Sequence, residues 1–558
     1  MKNINSMFKA TALGVALVFG TSVLVMNGCK NPAEDIKVAI ATKTLSKSAT
    51  LIQFVKANPA GAALPAQIPV TIGGAGKDFV QTDNGGKDFV ASNGLLPLSL
   101  NRFSAPSAAN PIVFTVSASV AGYAPVFQKI TIASDADLKN LVIPLVSLTT
   151  PPDGASVSQT TKALTGGTSA TETKIETTVN ATTPQSVELV LPAGTQMQDA
   201  NKQPINATSL KTTVVYYGTT DIDALKAAAP IMTAVNPIGP NNTPISGNVS
   251  FITAGAVSIN MTAGTTAVKN FSKAMNAEIE INPALINPNT GVAIKAGDVI
   301  PVWSLNEETG QWTYETSTSV ISVAGKLVAR ITISHLSTWA LNFYTTTACP
   351  FTVTINLGAD IKAYSGYTVM YEYNGQTLAV LSGEISTIAP AGTTSIQIKN
   401  PVPSAFKGKV VVYAASSTGL TKIVESPALS NCSDFTLNVP APAFTDFVDT
   451  DISFVAKCTN KNIIAYPTTW MSLTDKTDGT STNVHMIDGR VNAKLKNGHS
   501  YSMSAVYDEK TYNSETINID RTKAISLSTA AGLKVTGAYN SGTKKMVLDA
   551  EFVVTDCK

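Results

Sequence analysis

From Gln67 onward the chain is written almost wholly in short alternating runs such as "QIPVTIGG", "SVELVLPAGT", "GAVSINMTAG", "AEIEINP" and "ARITISHLSTWAL", each bounded by Gly, Asn, Asp or Pro. A period of two places apolar side chains on one face of a strand and polar ones on the other, and runs this short do not build long helices. The pattern predicts an all-β protein of tandem immunoglobulin-like or prealbumin-like β-sandwiches. The best helical stretch is "DIDALKAAAPIMTAV", Asp221 to Val235. Asp221 or Asp223 would cap it, Leu225 with Ala228 or Ala229 would face inward, and Pro230 would end or kink it.

The N-terminus has a different grammar. "MKNINSMFK" carries two lysines, an uncharged stretch from Ala10 to Met26 follows, and the chain turns polar at Asn27. That is the order of a secretory signal, and the stretch is short for a helix crossing a hydrocarbon core of about 30 Å. A retained transmembrane helix is the second reading. The end of the segment, "VMNGCKNPAED", resembles a bacterial lipoprotein signal, with Gly28 and Cys29 at its essential positions and Met26 and Asn27 where leucine and a small residue are usual. The resemblance implies removal of residues 1–28 and lipid attachment at Cys29. Several acyl chains hold where one is marginal, since each buried methylene contributes about 0.8 kcal/mol. "CKNPAED" is also similar to the outward-export signals of Bacteroidota lipoproteins, which implies the outer membrane with the protein facing outward. The membrane is thus one partner, through the N-terminal lipid.

Without Lys2 and Lys9 the 40 basic residues become 38, equal to the 38 acidic ones, so the mature chain is formally neutral. Nothing in that balance calls for nucleic acid. Four cysteines remain besides Cys29, namely Cys349, Cys432, Cys458 and Cys557. An even number in an exported chain favours disulfides. Cys349 opens "CPFTVTINL" and Cys432 opens "CSDFTLNV", while Cys458 ends "ISFVAKC" and Cys557 ends "LDAEFVVTDC". We expect Cys349 paired with Cys432 and Cys458 with Cys557, one bridge per domain. A zinc site is the rival reading, although the spacings are long and no histidine adjoins the cysteines.

Composition shifts cut the chain into a signal (1–28), a tether (29–60), a β-sandwich (61–148), a Pro/Ser/Thr/Gly-rich linker (149–170), a larger β-sandwich (171–345) and two β-sandwiches each with a disulfide (346–443 and 444–558). In the first sandwich "GKDFV" occurs twice, at Gly76 to Val80 and Gly86 to Val90, which reads as a duplicated hairpin or loop. The following "SASVAGYAPVFQKITI" resembles the last hairpin of prealbumin-like carboxypeptidase regulatory domains. In the third sandwich Asn374–Gly375 is a tight-turn pair, and Tyr371 and Tyr373 share one strand face, a packing feature more readily than a cleft.

In the larger sandwich, "PAGT", a D-x-N-x-x-P turn, a W-x-x-x-E-x-T-G-x-W hairpin and a late H-x-S-x-W follow in order, carried by Pro192, Gly194, Thr195, Asp199, Asn201, Pro204, Gly255, Met261, Trp303, Gly310, Trp312, His335, Ser337 and Trp339. This order resembles the β-sandwich of cartilage intermediate layer protein and netrin-receptor relatives, which implies a scaffold. One branch of that broader family cleaves itself between a phenylalanine and a serine following a histidine. The matching residues are His335 and Ser337, with Leu336 in place of the phenylalanine. The other reading is that His335 and Ser337 close a strand end while Trp339 packs. Trp303 and Trp312 are packing residues first, and a sugar-stacking platform second.

His485 and His499 read as a loop histidine and a satisfied core or edge histidine, with metal ligation the minor alternative. The acidic residues of "GDVIPVW" and "DTDISF" lack the dense spacing of a calcium loop. There is no nucleophile elbow, phosphate loop or H-E-x-x-H helix. No cofactor and no metal are therefore expected. The sequence favours a non-enzymatic, lipid-anchored envelope protein for adhesion, polymer binding or assembly scaffolding, with a polysaccharide or surface protein as its other partner. The alternative is a self-processing or glycan-degrading exoprotein.

Overall fold

The computed structural model describes residues 38–43, 46–219, 221–228, 233–246, 248–344, 348–356, 367–373, 376–380, 395–403, 408–416, 419–428, 434–439, 446–458, 463–507, 510–528 and 533–554. The signal segment, Cys29, the Asn374–Gly375 pair, Pro230, Cys432 and Cys557 lie outside them. Among the described residues no helix is long and apolar enough to cross a membrane.

The protein is all-β, as its alternation predicts, and its sandwiches follow one another along the chain. The first is built on the sheet order Val126–Ile132, Ile112–Ala118, Gln67–Gly73, Val90–Ser92, Leu95–Asn101, Ser46–Lys56, Lys139–Leu145. Ile52, Phe54, Leu96, Leu98, Phe114, Ile130 and Ile143 fill its core. Ser46–Lys56 corrects the expected tether: it is an inner strand, antiparallel to Leu95–Asn101 and parallel to Lys139–Leu145. Its lysines and hydroxyl residues blur the alternation, so pairing rather than local pattern makes it a strand. The two GKDFV copies each run into a short strand, and Lys87 of the second donates from Nζ to the Asp78 carbonyl of the first at 2.9 Å.

The larger sandwich has two layers. One holds Ala155–Ala163, Ser209–Tyr217, Ile252–Ala263, Thr338–Phe343 and Val299–Asn306; the other holds Lys326–His335, Asn270–Ile281, Val187–Leu191 and Thr173–Glu176. Gln311–Val323 passes from the first layer to the second, pairing with Val299–Asn306 at one end and Lys326–His335 at the other. Ala155–Ala163 corrects the expected linker, since it pairs along its whole length with Ser209–Tyr217. The tryptophan hairpin turns through residues 307–310, one residue wider than the Glu308–Gly310 loop its sequence suggests, with Gly310 at φ 64°.

The third unit pairs two small sheets, Ser395–Pro403, Ala348–Asn356, Phe435–Asn438 and Gln376–Val380, Tyr367–Tyr373, Lys409–Ser416, Gly419–Glu425. Its Ile355, Val369, Tyr371, Val412 and Leu437 join the larger sandwich's apolar cluster. Tyr371 is buried, and its hydroxyl accepts the Gly408 N–H at 3.0 Å; a Cβ on Gly408 would stand 2.4 Å from the Tyr371 ring. Cys349 lies on Ala348–Asn356, its side chain outside what is described.

The last sandwich has one sheet around Phe447–Cys458 and Lys545–Val554, and a second of Ser481–Met486, Thr469–Asp475, Ser500–Tyr507 and Lys510–Asn513. Cys458 is disulfide-bonded, to a partner outside the described side chains. This sandwich does not simply continue a string. Val38–Ala41, near the start of the described chain, pairs in parallel with Ile463–Tyr466 on its edge. The first sandwich docks on it through Asn483 Nδ2 to Gln53 Oε1 at 2.8 Å, Thr469 Oγ1 to Asp83 Oδ2 at 2.5 Å, and the Ser92 and Thr511 hydroxyls at 2.8 Å. Leu51 and Asn140 face outward from the first sandwich, alternating with core residues, and are nonetheless buried.

Candidate functional site

The His335 region sits where Lys326–His335 hands over to Thr338–Phe343. His335 Nε2 lies 3.3 Å from Glu315 Oε1, which also accepts the Ser304 hydroxyl at 2.6 Å. The histidine holds the Glu315 carboxyl below its ordinary value, burial opposes this, and the Ser304 bond adds to it. The His335 ring packs on Trp339, whose Nε1 donates back to the His335 carbonyl at 3.3 Å. Ser337 is buried and its hydroxyl donates to the Thr338 carbonyl at 3.3 Å, not to His335. Leu336, between them, is buried with its N–H on the Lys269 carbonyl. His335 is therefore placed as a partner of Glu315 and Trp339. It is not hydrogen-bonded to the hydroxyl that self-processing would have to activate.

A second carboxylate lies close in sequence. Glu307 Oε1 accepts the Thr338 hydroxyl at 3.0 Å, and burial pushes its carboxyl up. Thr338 and Trp339 alternate along one strand, Trp339 in the inter-layer core and Ala340 on the opposite side. Glu307, bonded to Thr338, and Glu315, grouped with Trp339, therefore attach to opposite faces of the sheet. They do not converge on one groove, as a glycosidase pair must.

The tryptophan hairpin is not an exposed platform. Trp303 and Trp312 lie on the outer face of the first layer, in one apolar cluster with Ala227, Ala228, Ala234, Val249 and Phe251. Ile222–Ala228 is the expected helix, shortened, with Asp221 Oδ1 accepting the Asp223 N–H and Leu225 and Ala228 buried. Phe251 meets Trp303 at 4.9 Å and Trp312 at 5.3 Å between ring centroids, and Trp303 Nε1 donates to the Asn342 carbonyl at 3.1 Å. The sequence carries the ring spacing but not the cover, which is an insertion between two paired strands.

Of the last sandwich's two histidines, His499 is a satisfied edge residue as expected and His485 departs from the loop reading. His499 Nδ1 lies 2.8 Å from Asp475 Oδ2, and Asp475, Asp478 and His499 form a cluster with the geometry to meet a cation. Lys496 already occupies that role, with its ammonium 3.6 Å from Asp475 and bonded to Asp478. The carboxylates also cap their own turn, Asp475 through the Thr477 N–H and Asp478 through the Thr480 N–H. His485 is on the strand Ser481–Met486, not in a loop, opposite Trp470. Its two ring nitrogens are buried without hydrogen-bond partners, and burial pushes the ring from 6.5 down to about 4. Of the acidic residues weighed for calcium, Asp298 accepts Asn287 and the Lys295 N–H, Asp449 pairs with Lys494, and Asp451 with Lys545.

No protein-family model and no curated protein matches the sequence. Among solved structures the chain is similar at 9% identity to the TIE protein of Bacillus anthracis, over 72% of this chain and 75% of that one, with a TM-score of 0.14. It is similar at 9% to BcpA, the major pilin subunit of Bacillus cereus (90% and 99% covered, TM-score 0.13), and at 8% to the pilus adhesin SpaC of Lactobacillus rhamnosus GG (73% and 56% covered, TM-score 0.14). Scores this low carry no functional argument.

Proposed function

We propose that the chain is a non-enzymatic, lipid-anchored protein of the cell envelope, held at Cys29 in the outer membrane and facing outward, whose sandwiches bind a polysaccharide or a surface protein in adhesion or assembly. The observation that carries the reading is the uncharged run Ala10 to Met26 ending in Gly28–Cys29, ahead of a mature chain that is formally neutral and all-β. The separation of Ser337 from His335, and of Glu307 from Glu315, supports a binding rather than a hydrolytic role. Disulfides suit that compartment. Pairing of Cys458 with Cys557 is supported by the parallel register that sets Cys458 level with Val554, three residues before Cys557. Fractionation of cells carrying the wild type or Cys29→Ser tests the anchor. The wild type partitions with outer membranes and is shaved by protease on whole cells, and the variant loses outer-membrane partition. Equal partition of both overturns the reading.

A further inference from the structure

The outer face of the last sandwich's second sheet is built from Trp470, Ser472, Asn483 and His485, which alternate with the core residues Met471, Leu473, Val484 and Met486. Outer faces meet water by default, yet Trp470, Ser472 and Asn483 are buried. The cover is the first sandwich, reached by Asn483 Nδ2 to Gln53 Oε1 at 2.8 Å and to Asn140 Oδ1 at 3.4 Å. The seam extends to the Thr42 hydroxyl, which accepts the Thr468 N–H at 2.6 Å, and to Asn93 Nδ2, which donates to Thr511 at 3.0 Å.

The seam satisfies its polar groups incompletely. Trp470 Nε1, Asn483 Oδ1 and both nitrogens of His485 are buried with no partner. Buried polar groups without partners are rare in native proteins and each one weakens the contact that buries it. We propose that this docking is a pH-sensitive clasp, in which protonation of the His485 imidazole releases the first sandwich from the last.

The neutral ring needs one donor and one acceptor, and lacks both; the imidazolium needs two acceptors and a counter-charge. No group of the facing strands bonds to the ring, and the residues they present on that face carry no charge. Ser46–Lys56 presents Leu51 and Gln53, Lys139–Leu145 presents Asn140 while Val142 on the same face stays exposed, and Thr469–Asp475 presents Trp470 and Ser472. Charged groups border the seam without bonding to His485. Asp83 accepts the Thr469 hydroxyl, Asp488 accepts the Thr468 hydroxyl and the Lys43 N–H, and Lys139 precedes Asn140. Across the turn that follows, Arg490 is exposed, Lys494 pairs with Asp449, and Lys496 with Asp475 and Asp478. Undocking returns the ring to water. A histidine that titrates at 6.5 when free and about 4 when docked leaves docking at full strength above 6.5. Docking then weakens as pH falls through this interval, by up to about 300-fold once pH is below both values.

Three histidines make the test direct, because selective histidine labelling gives three imidazole signals. In the intact mature chain the His485 signal is expected to titrate near 4, and small-angle scattering is expected to show the radius of gyration rising between pH 6.5 and 4 with tryptophan fluorescence of the cores retained. His485→Gln removes the rise, and Leu51→Asp opens the seam at pH 7 and returns His485 to its ordinary titration. Titration of His485 near 6.5 in the intact chain, an unchanged radius down to pH 4, or an equal rise in His485→Gln each overturns the clasp. The titration needs no variant to fold.

Discussion

Two outer sheet faces carry tryptophan in this molecule, and they are covered in different ways. Over Trp303 and Trp312 the cover comes largely from residues 222–228, 233–246 and 248–251, which lie between the paired strands Ser209–Tyr217 and Ile252–Ala263, with Ala124 and Val146 of the first sandwich beside them, and the Trp303 N–H finds the Asn342 carbonyl. Over Trp470 the cover is a sandwich some 400 residues away in sequence, and the indole N–H finds nothing. The first cover is continuous in chain with the strands it covers, yet it too leaves a buried group unpaired, the side-chain amide of Asn342. The second cover arrives by docking, through side-chain bonds such as Asn483 to Gln53, and leaves Trp470 Nε1, Asn483 Oδ1 and the His485 ring unpaired; a contact between separate sandwiches with that many unpaired groups is the more readily undone.

The largest way to break the comparison is Trp303→Ala, which should destabilise the larger sandwich by about 3–5 kcal/mol, equally at pH 7 and pH 5, read by denaturant unfolding. A uniform loss below 1 kcal/mol would place that face outside the cooperative core. Next comes Asp475→Ala in the last sandwich. It strips His499 of its acceptor and Lys496 of one carboxylate, at an expected cost of about 1–3 kcal/mol. Added divalent cation should leave the wild type's unfolding midpoint unchanged, since Lys496 fills the cluster, and a calcium- or zinc-dependent rise would show that the lysine gives way. Trp470→Phe removes a donor that bonds to nothing, so its effect should stay within about 1.5 kcal/mol and fall on docking rather than on unfolding of the last sandwich. The smallest effect belongs to Glu315→Gln. Its carboxyl is held low mainly by His335, so its contribution exists above the ordinary value of 4.5 and is lost as pH falls through the lowered native value. For a partly exposed pair this is below about 1 kcal/mol, and an acid unfolding curve that steepens in the variant would contradict it.

Much of the fold was legible because most strands obey the alternation: "WSLNEETGQW" reads as a hairpin, and Val299–Asn306 does pair with Gln311–Val323. The helix was legible through Asp221, Leu225 and Ala228, and ended sooner than its pattern. Ser46–Lys56 and Ala155–Ala163 look like tether and linker in sequence because Lys, Ser, Thr and Gln dilute their period, and only long-range pairing makes them strands. The same limit hid the sites. Nothing adjacent to His485 or His499 in sequence tells which one meets a carboxylate: Asp475 reaches His499 across a strand pair, while His485 shares its sheet face with Asn483, which bonds to a sandwich from the other end of the chain. His335 and Ser337 are two residues apart, yet alternation and a turn give them separate partners.

The most direct measurement is the intact mass of the mature protein purified from its native membrane, taken with and without reduction. The expected result is a chain beginning at Cys29 with acyl mass added, and a gain of four hydrogens on reduction from two disulfides. An unmodified Cys29, or a chain still carrying residues 1–28, would contradict the lipid-anchored reading, and a break after Leu336 would replace it with self-processing.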